Sequence, residues 1–297
     1  MQDLTEAAVP SAPEKPSGKG AKDENFPVGS FLIRAELRPD VAAYYAFARA
    51  GDDIGDDPEL PAEEKVARLD AFAAALRGEP GYGAGYAKAH ALRERLLVRN
   101  IPLARGLDLL SAFRQDALKS RYETFAELED YCTRSANPVG RFLVDLHGES
   151  QALYPASDAL CSALQVLNHL QDCKKDLLEI DRVYVPADWL AAHGAGVEAL
   201  RGPALTPGLR AVLDRMLERC EAWVAAAQPL ARSMRDARFA MEAHTIVSLA
   251  ARLCRLLRRG DPLATRVALR KSDFAAAGLA GVWLALFGRR PLAGGGA

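Results

Sequence analysis

The chain has 297 residues, 49% of them hydrophobic and 26% charged, enough to bury a large core as one big domain or two smaller ones. Its 38 basic and 39 acidic side chains leave a formal net charge of −1, which excludes an overall field for nucleic acid and confines any anion site to a local patch. Five widely spaced cysteines without a CxxC pair argue against a disulfide framework and a zinc site, and fit a reducing cytoplasm.

Residues 1–24 hold no apolar segment of signal-peptide length, and their Pro, Ser, Gly and Lys content predicts a disordered arm. From there the chain reads as helix after helix. VAAYYAFARA (41–50), AEEKVARLDAFAAALRG (62–78), KAHALRERLLVRN (88–100) and PLARGLDLLSAFRQDALKS (102–120) carry apolar residues at three- and four-residue spacing. So do AELEDYCTRSANPVGRFLVDLHG (126–148), ASDALCSALQVLNHLQDCKKDLLEI (156–180), LRAVLDRMLERCEAWVAAAQPLARSM (209–234) and DARFAMEAHTIVSLAARLCRLLRRG (236–260). Alternating strand patterns are almost absent and no fixed-period repeat is present, so the expectation is an all-α, single-domain helical bundle over 25–288 with a flexible tail at 289–297. GYGAG at 81–85 follows no strand and reads as a loop rather than a dinucleotide fingerprint.

Directly after the first apolar helix comes GDDIGDDP, with four aspartates in six positions. Asp52 and Asp56 are four apart, as are Asp53 and Asp57, so each pair shares a helix face about 5–6 Å apart. Hard oxygen ligands in pairs suit Mg²⁺, which takes one or two carboxylates and fills its other positions with water and phosphate. The competing reading is a solvated helix end with Gly55 and Pro58 as breakers. The balance shifts at NHLQDCKKD (168–176), where Asn168, Asp172 and Asp176 line one face of a helix made apolar upstream by Leu160, Leu164 and Leu167. Two DxxxD clusters facing each other across a bundle can hold several Mg²⁺ ions around one diphosphate. Lys174 and Lys175 read as a solvated face, and His169, off the Asp face, as structural.

Two DxxxD clusters 120 positions apart in an all-α chain resemble the squalene/phytoene synthase family of the isoprenoid synthase fold. NFPVGSFL (25–32) resembles its early segment with Ser30 and Phe31, YYAFARAGDDIGDD its first motif with Tyr45 and Arg49, and YCTRSANPVG (131–140) its kinked Tyr-Cys segment with Tyr131. NHLQDCKKD resembles the second motif, and DRVYVP (181–186), with Arg182 and Tyr184, the segment after it. The family commonly has Arg where this chain has Gln171, and Ala-Gly-x-Val-Gly where it has ANPVG with Asn137. Both departures resemble the bacterial hopanoid-pathway subgroup that makes hydroxysqualene.

That resemblance implies a central cavity and Mg²⁺ at Asp52, Asp53, Asp56, Asp57, Asn168, Asp172 and Asp176. It implies phosphate contacts at Arg49 and Arg182, and tyrosines 45, 131 and 184 along the cation path. The activity implied is that of a carbon–oxygen lyase ionising presqualene diphosphate, the cation then being quenched by water, with no NADPH needed. Gln171, Asn137 or a nearby tyrosine is expected to hold the quenching water. Two alternatives stay open: a prenyltransferase using farnesyl diphosphate or a related head-to-head synthase, and a relative without chemistry. The stretch FAAAGLAGVWLALFG (274–288) is too short to span a bilayer, and reads as a last helix packed on the bundle or as a peripheral contact with the inner face of the cytoplasmic membrane. Neighbouring enzymes of the same pathway are the expected protein partners.

Overall fold

The computed structural model describes residues 32–283, so Ser30, Phe31, the N-terminal arm and the tail beyond Trp283 lie outside the described residues. Among the described residues twelve α-helices follow one another: α1 Arg38–Asp56, α2 Ala62–Arg77, α3 Ala87–Val98, α4 Ala104–Leu118, α5 Phe125–Ser135, α6 Asn137–Leu146, α7 Tyr154–Glu179, α8 Ala187–Ala192, α9 Pro207–Ala227, α10 Leu230–Ser233, α11 Ala237–Arg259 and α12 Lys271–Trp283. No strand occurs among the described residues; the one isolated bridge pairs Arg121 with Val183. The all-α expectation is met. The 81–85 stretch forms no α-helix, as expected of a loop.

Helix starts follow from local chemistry. Asp236 accepts hydrogen bonds from the Arg238 and Phe239 amides at the head of α11, Thr206 does the same for Leu209 at α9, and Thr124 for Glu127 at α5. Prolines occupy the first turn of α1, α6, α7 and α9, where no amide proton is required.

Two apolar clusters form the core. One joins α1 to α4 through Phe47, Phe72, Leu76, Leu92 and Leu109, and takes in Phe142 and Leu146 of α6. The other gathers α5, α7, α9 and α11 around Leu128, Val166, Met216, Cys220 and Leu253. All five cysteines are free thiols.

Three local features position what lies between these clusters. Gly55 does not break α1, which runs through to Asp56; Gly51 and Gly55 instead form a groove for Phe113 of α4. A Cβ added at Gly51 would stand 2.7 Å from the Phe113 ring, so only glycine lets α4 come this close to the aspartates. The long 126–148 segment divides at Ala136 (φ −121°, ψ −47°), where Asn137-Pro138 starts α6. After α7, Asp181 takes a positive φ of 50°, which Asp tolerates better than most residues. The chain then turns back beside 120–122, with Val183 N–H on the Ser120 carbonyl at 2.9 Å, and carries Arg182 and Tyr184 inward.

Candidate active site

Helices α1 and α7 share a change of character. On α1, Val41, Tyr44, Tyr45 and Ala48 line one cavity, while the next residue, Arg49, begins another with Asp52 and Asp56. On α7, Ser157, Leu160, Cys161 and Leu164 line the first cavity, and Gln165 begins the second with Asn168, His169, Asp172 and Asp176. The first cavity, about 330 Å³, is walled on its far side by Phe239, Ala243 and Ile246 of α11 and is almost wholly apolar. The second, about 810 Å³, is polar and brings both DxxxD clusters to one space. Helical periodicity makes the switch sharp, because one face of each helix is apolar for its first turns and charged for its last.

The two clusters have different surroundings. At α1, Arg49 Nη1 stands 3.0 Å from Asp52 and its Nη2 2.5 Å from Asp53, and Arg182 donates to Asp56 at 3.0 Å. At α7, Asp172 has only Arg266 at 4.0 Å, and Asp176 forms no ion pair with a described residue. Burial, reinforced by the Asp56 carboxylate, pushes Asp52 up to about 7 against the pull of Arg49. About a third of the Asp52 side chain is open, and it opens into the cavity itself. Burial, with Asp172 beside it, likewise pushes Asp176 up to about 7. Asp176 therefore lacks a close cation among the described residues, and Asp52 keeps a raised pKa in spite of Arg49, so both favour an added positive charge.

A further acidic group, Asp116 of α4, faces the same cavity outside both motifs. Its Oδ2 accepts the Tyr131 hydroxyl proton at 2.7 Å, and its backbone carbonyl accepts from Arg182 Nη2 at 3.0 Å. Burial pushes it up to about 7, opposed by Arg182 and by the Tyr131 hydrogen bond. No spacing rule pointed to Asp116: it is a single acid in FRQDALKS, and α4–α1 contacts such as Gly51 and Gly55 on Phe113 bring it near α1. Tyr131, Tyr184 and His169 form an aromatic wall, His169 stacking on Tyr184 at 3.4 Å between centroids. Burial, then Arg182, holds the His169 pKa down to about 3, so the wall presents a neutral imidazole at pH 7.

Several expected site residues lie elsewhere. Asp53 is buried under Arg49, and Asp57 caps the turn after α1 by accepting from the Glu59 amide at 2.9 Å; neither lines the polar cavity. Gln171 points away from Asn168 and Asp172, its amide donating to the Val267 carbonyl at 2.7 Å. Asn137 is buried between α6 and α7 against Ser162, with Asp158 O and Cys132 O in reach of its amide nitrogen. Both are thus removed from a water at the cavity, because side-chain direction on a packed helix is set by the neighbour it meets. Tyr45 lines the apolar cavity, not the polar one. Lys174 is a tie rather than a solvated face, donating to Gly202 O at 2.8 Å and Leu263 O at 3.3 Å. Lys175 lines the polar cavity while remaining exposed.

For a divalent cation the donor set is all oxygen, carboxylates with one amide, which suits Mg²⁺. Among the described residues no three His, Cys, Asp or Glu side chains converge on one point. Pairs of carboxylates do face the cavity, and a pair per ion, completed by water and phosphate, is the coordination Mg²⁺ prefers.

Along α12, Ala277 and Gly281 pack on α11 while Leu279, Val282 and Trp283 are exposed, so the last helix lies against the bundle by one face. No helix among the described residues is long and apolar enough to cross a membrane.

A squalene/phytoene synthase family model matches residues 20–273. A hydroxysqualene synthase of Rhodopseudomonas palustris is 43% identical over 264 residues, covering 89% of each chain, and one of Zymomonas mobilis is 40% identical over 259 residues, covering 86% of each. Among solved structures, the squalene synthase HpnC of Alicyclobacillus acidocaldarius superimposes with a TM-score of 0.69 at 32% identity, over 78% of this chain and 87% of that one. A dehydrosqualene synthase at 18% identity shares the fold with a TM-score of 0.65.

Proposed function

Since the chain belongs to the squalene/phytoene synthase family, whose members act on prenyl diphosphates, we propose that it converts presqualene diphosphate to hydroxysqualene. The observation that carries this reading is the switch from apolar to acidic lining at Ala48/Arg49 and Leu164/Gln165, which suits a molecule with a hydrocarbon body and a diphosphate head. The hydroxysqualene synthase name of the 40–43% identical relatives supports the choice of product. Asp52, Asp56, Asp172 and Asp176, with Asn168 beside them, are the residues that would hold Mg²⁺, which when bound supplies positive charge to a departing diphosphate.

The chain's own groups do the rest. Arg49 and Arg182 exchange part of their pairing with Asp52 and Asp56 for diphosphate oxygens, guanidinium being suited to both anions. Tyr131 and Tyr184 line the polar cavity beside the cation, and neutral His169 adds no positive charge to repel it. The apolar cavity keeps bulk water from the hydrocarbon chains, so the cation rearranges before a single water reaches it. The test is purified protein with Mg²⁺ and presqualene diphosphate, without NADPH. Hydroxysqualene is the expected product; turnover of farnesyl diphosphate alone would overturn the reading in favour of a condensing synthase, and turnover of neither in favour of a relative without chemistry.

A cytoplasmic protein resting on the membrane surface is the matching location, with Leu279, Val282 and Trp283 as the contact. Co-sedimentation with phosphatidylglycerol vesicles is expected for the full chain and should weaken severalfold in Leu279→Asp/Trp283→Asp. Equal pelleting of both would refute that contact.

A further inference from the structure

The mechanism above leaves one step without an owner: the proton released when water becomes an alcohol. A water attacking a carbocation becomes an oxonium and must lose H⁺ inside the cavity. Gln171, whose amide nitrogen bonds Val267 O, and Asn137, against Ser162, lie outside the polar cavity lining, and neutral amides accept protons poorly in any case. Asp52, Asp56, Asp172 and Asp176 are engaged in the proposed metal site. Among the described residues lining the polar cavity, Asp116 is the remaining carboxylate.

Its surroundings are those of a held acceptor. The Asp116 side chain is 5% exposed, one oxygen accepts from Tyr131 at 2.7 Å, and the other, Oδ1, is buried with no hydrogen-bond partner among the described residues. A buried carboxylate oxygen left without a partner is destabilising and calls for a reason. Arg182 Nε stands 3.9 Å from that oxygen, too far for a hydrogen bond but close enough to favour the anion. Tyr122 bounds the pair from below, its ring 5.7 Å from that of Tyr131 and its hydroxyl accepting from Gln115. In its ionised form Asp116 can only accept, so the Tyr131 proton is then committed to Asp116, and the lone pairs of the phenol oxygen are left for the cavity that Tyr131 lines.

Resting on the hydroxysqualene reading, we infer that Asp116 is the positioning residue and final proton acceptor for the water quench, acting through Tyr131. As the water oxygen bonds to the cationic carbon, one of its protons passes to the Tyr131 oxygen while the phenol proton passes to Asp116 Oδ2. The products are the alcohol, a neutral tyrosine and a neutral Asp116; the charge of the cation is cancelled by that of the carboxylate, and no oxidant or reductant takes part. The polarity of the Tyr131–Asp116 hydrogen bond aims the relay, since Tyr131 cannot donate to the cavity while bonded to Asp116.

The experiment measures alcohol formed per diphosphate released from presqualene diphosphate with Mg²⁺, a ratio independent of how fast ionisation occurs. Asp116→Asn keeps an acceptor for the Tyr131 hydroxyl but removes the proton sink, and the ratio is expected to fall at least about tenfold, with C30 hydrocarbon formed by proton loss taking its place. Asp116→Glu is expected to recover part of it. Tyr131→Phe should lower the ratio similarly and carries the test if Asp116→Asn does not fold, as read by circular dichroism. Ratios within about twofold of wild type in the folded variants would overturn the relay. Absence of alcohol from the wild type would instead overturn the reading on which it rests.

Discussion

The two cavities are built by the same two helices, yet differ in almost every physical respect. The apolar one is closed by α11 with interlocking aliphatic and aromatic side chains, and an added Cβ at Gly140 in its wall would stand 2.6 Å from the Cys161 sulfur. The polar one is larger, holds five carboxylates and leaves one buried Asp116 oxygen unpaired. The first offers an apolar space for hydrocarbon, whereas the second concentrates carboxylates whose repulsion an added cation would relieve. Within the polar cavity the same contrast recurs: α1 aspartates already sit against Arg49 and Arg182, while α7 aspartates have only a distant Arg266. An all-carboxylate pair without a close cation is the stronger attractor for a metal, so α7 should dominate metal affinity and α1 the exchange between arginine and diphosphate.

The sharpest way to break this comparison is to remove the charges. Asp172→Asn and Asp176→Asn are each expected to lower turnover by about 10³-fold or more, with helicity unchanged by circular dichroism. Asp52→Asn should cost as much activity. Loss of the helical spectrum instead would assign the aspartates to the fold.

A smaller effect is expected on the apolar side. Ala48→Phe, filling the cavity at the boundary, should reduce turnover of the C30 substrate about tenfold by displacing hydrocarbon. Mg²⁺ affinity, read by calorimetry on the protein alone, should not change; a parallel loss of metal binding would mean that the two cavities are not separate devices.

Stability against pH sharpens the contrast further. Asp52, Asp116 and Asp176 are raised to about 7, whereas in the unfolded chain they release their protons near 3.8. Between these values the folded state binds more protons than the unfolded one, so stability falls as pH rises from about 4 to about 7 and stays lower above it. The total should be a few kcal/mol, about 1 kcal/mol per group after solvent screening. Urea midpoints in chelator at pH 5 and pH 8 test the sign, and Mg²⁺ should reduce the difference at the alkaline end. Asp52→Asn is expected to raise the pH 8 midpoint, equivalent to about 1 kcal/mol of added stability, while abolishing turnover. The smallest effect belongs to the exposed Lys175–Glu179 pair at 3.9 Å, where Glu179→Ala should change stability by less than about 0.5 kcal/mol.

Much of the fold was legible because periodicity is local. The helix segments read from apolar spacing all appear, with two divisions, at Ala136 before Asn137-Pro138 and at Gln228-Pro229, each marked by a proline that the three- and four-residue spacing hides. The paired aspartates on α1 and α7 were legible for the same reason: residues four apart on a helix share a face whatever the rest of the chain does. Gln171 and Asn137 were misplaced because departure from a family pattern says that a position matters, not which way it points. Each lies within a turn of a cavity residue and faces a neighbouring element instead. Lys174 was misread because its partners, Gly202 and Leu263, lie 28 and 89 positions away.

By itself the sequence determined the all-α class, the two aspartate faces, and the alternation of apolar and polar residues along each helix, since all of these depend on rotation angle per residue. Tertiary structure alone decided which cluster would be neutralised, which tyrosine would see hydrocarbon, and that Asp116 would join the site. Those outcomes depend on the distance between helices, and that distance is fixed by close contacts such as Gly51 on Phe113, whose two members are 62 positions apart in the chain.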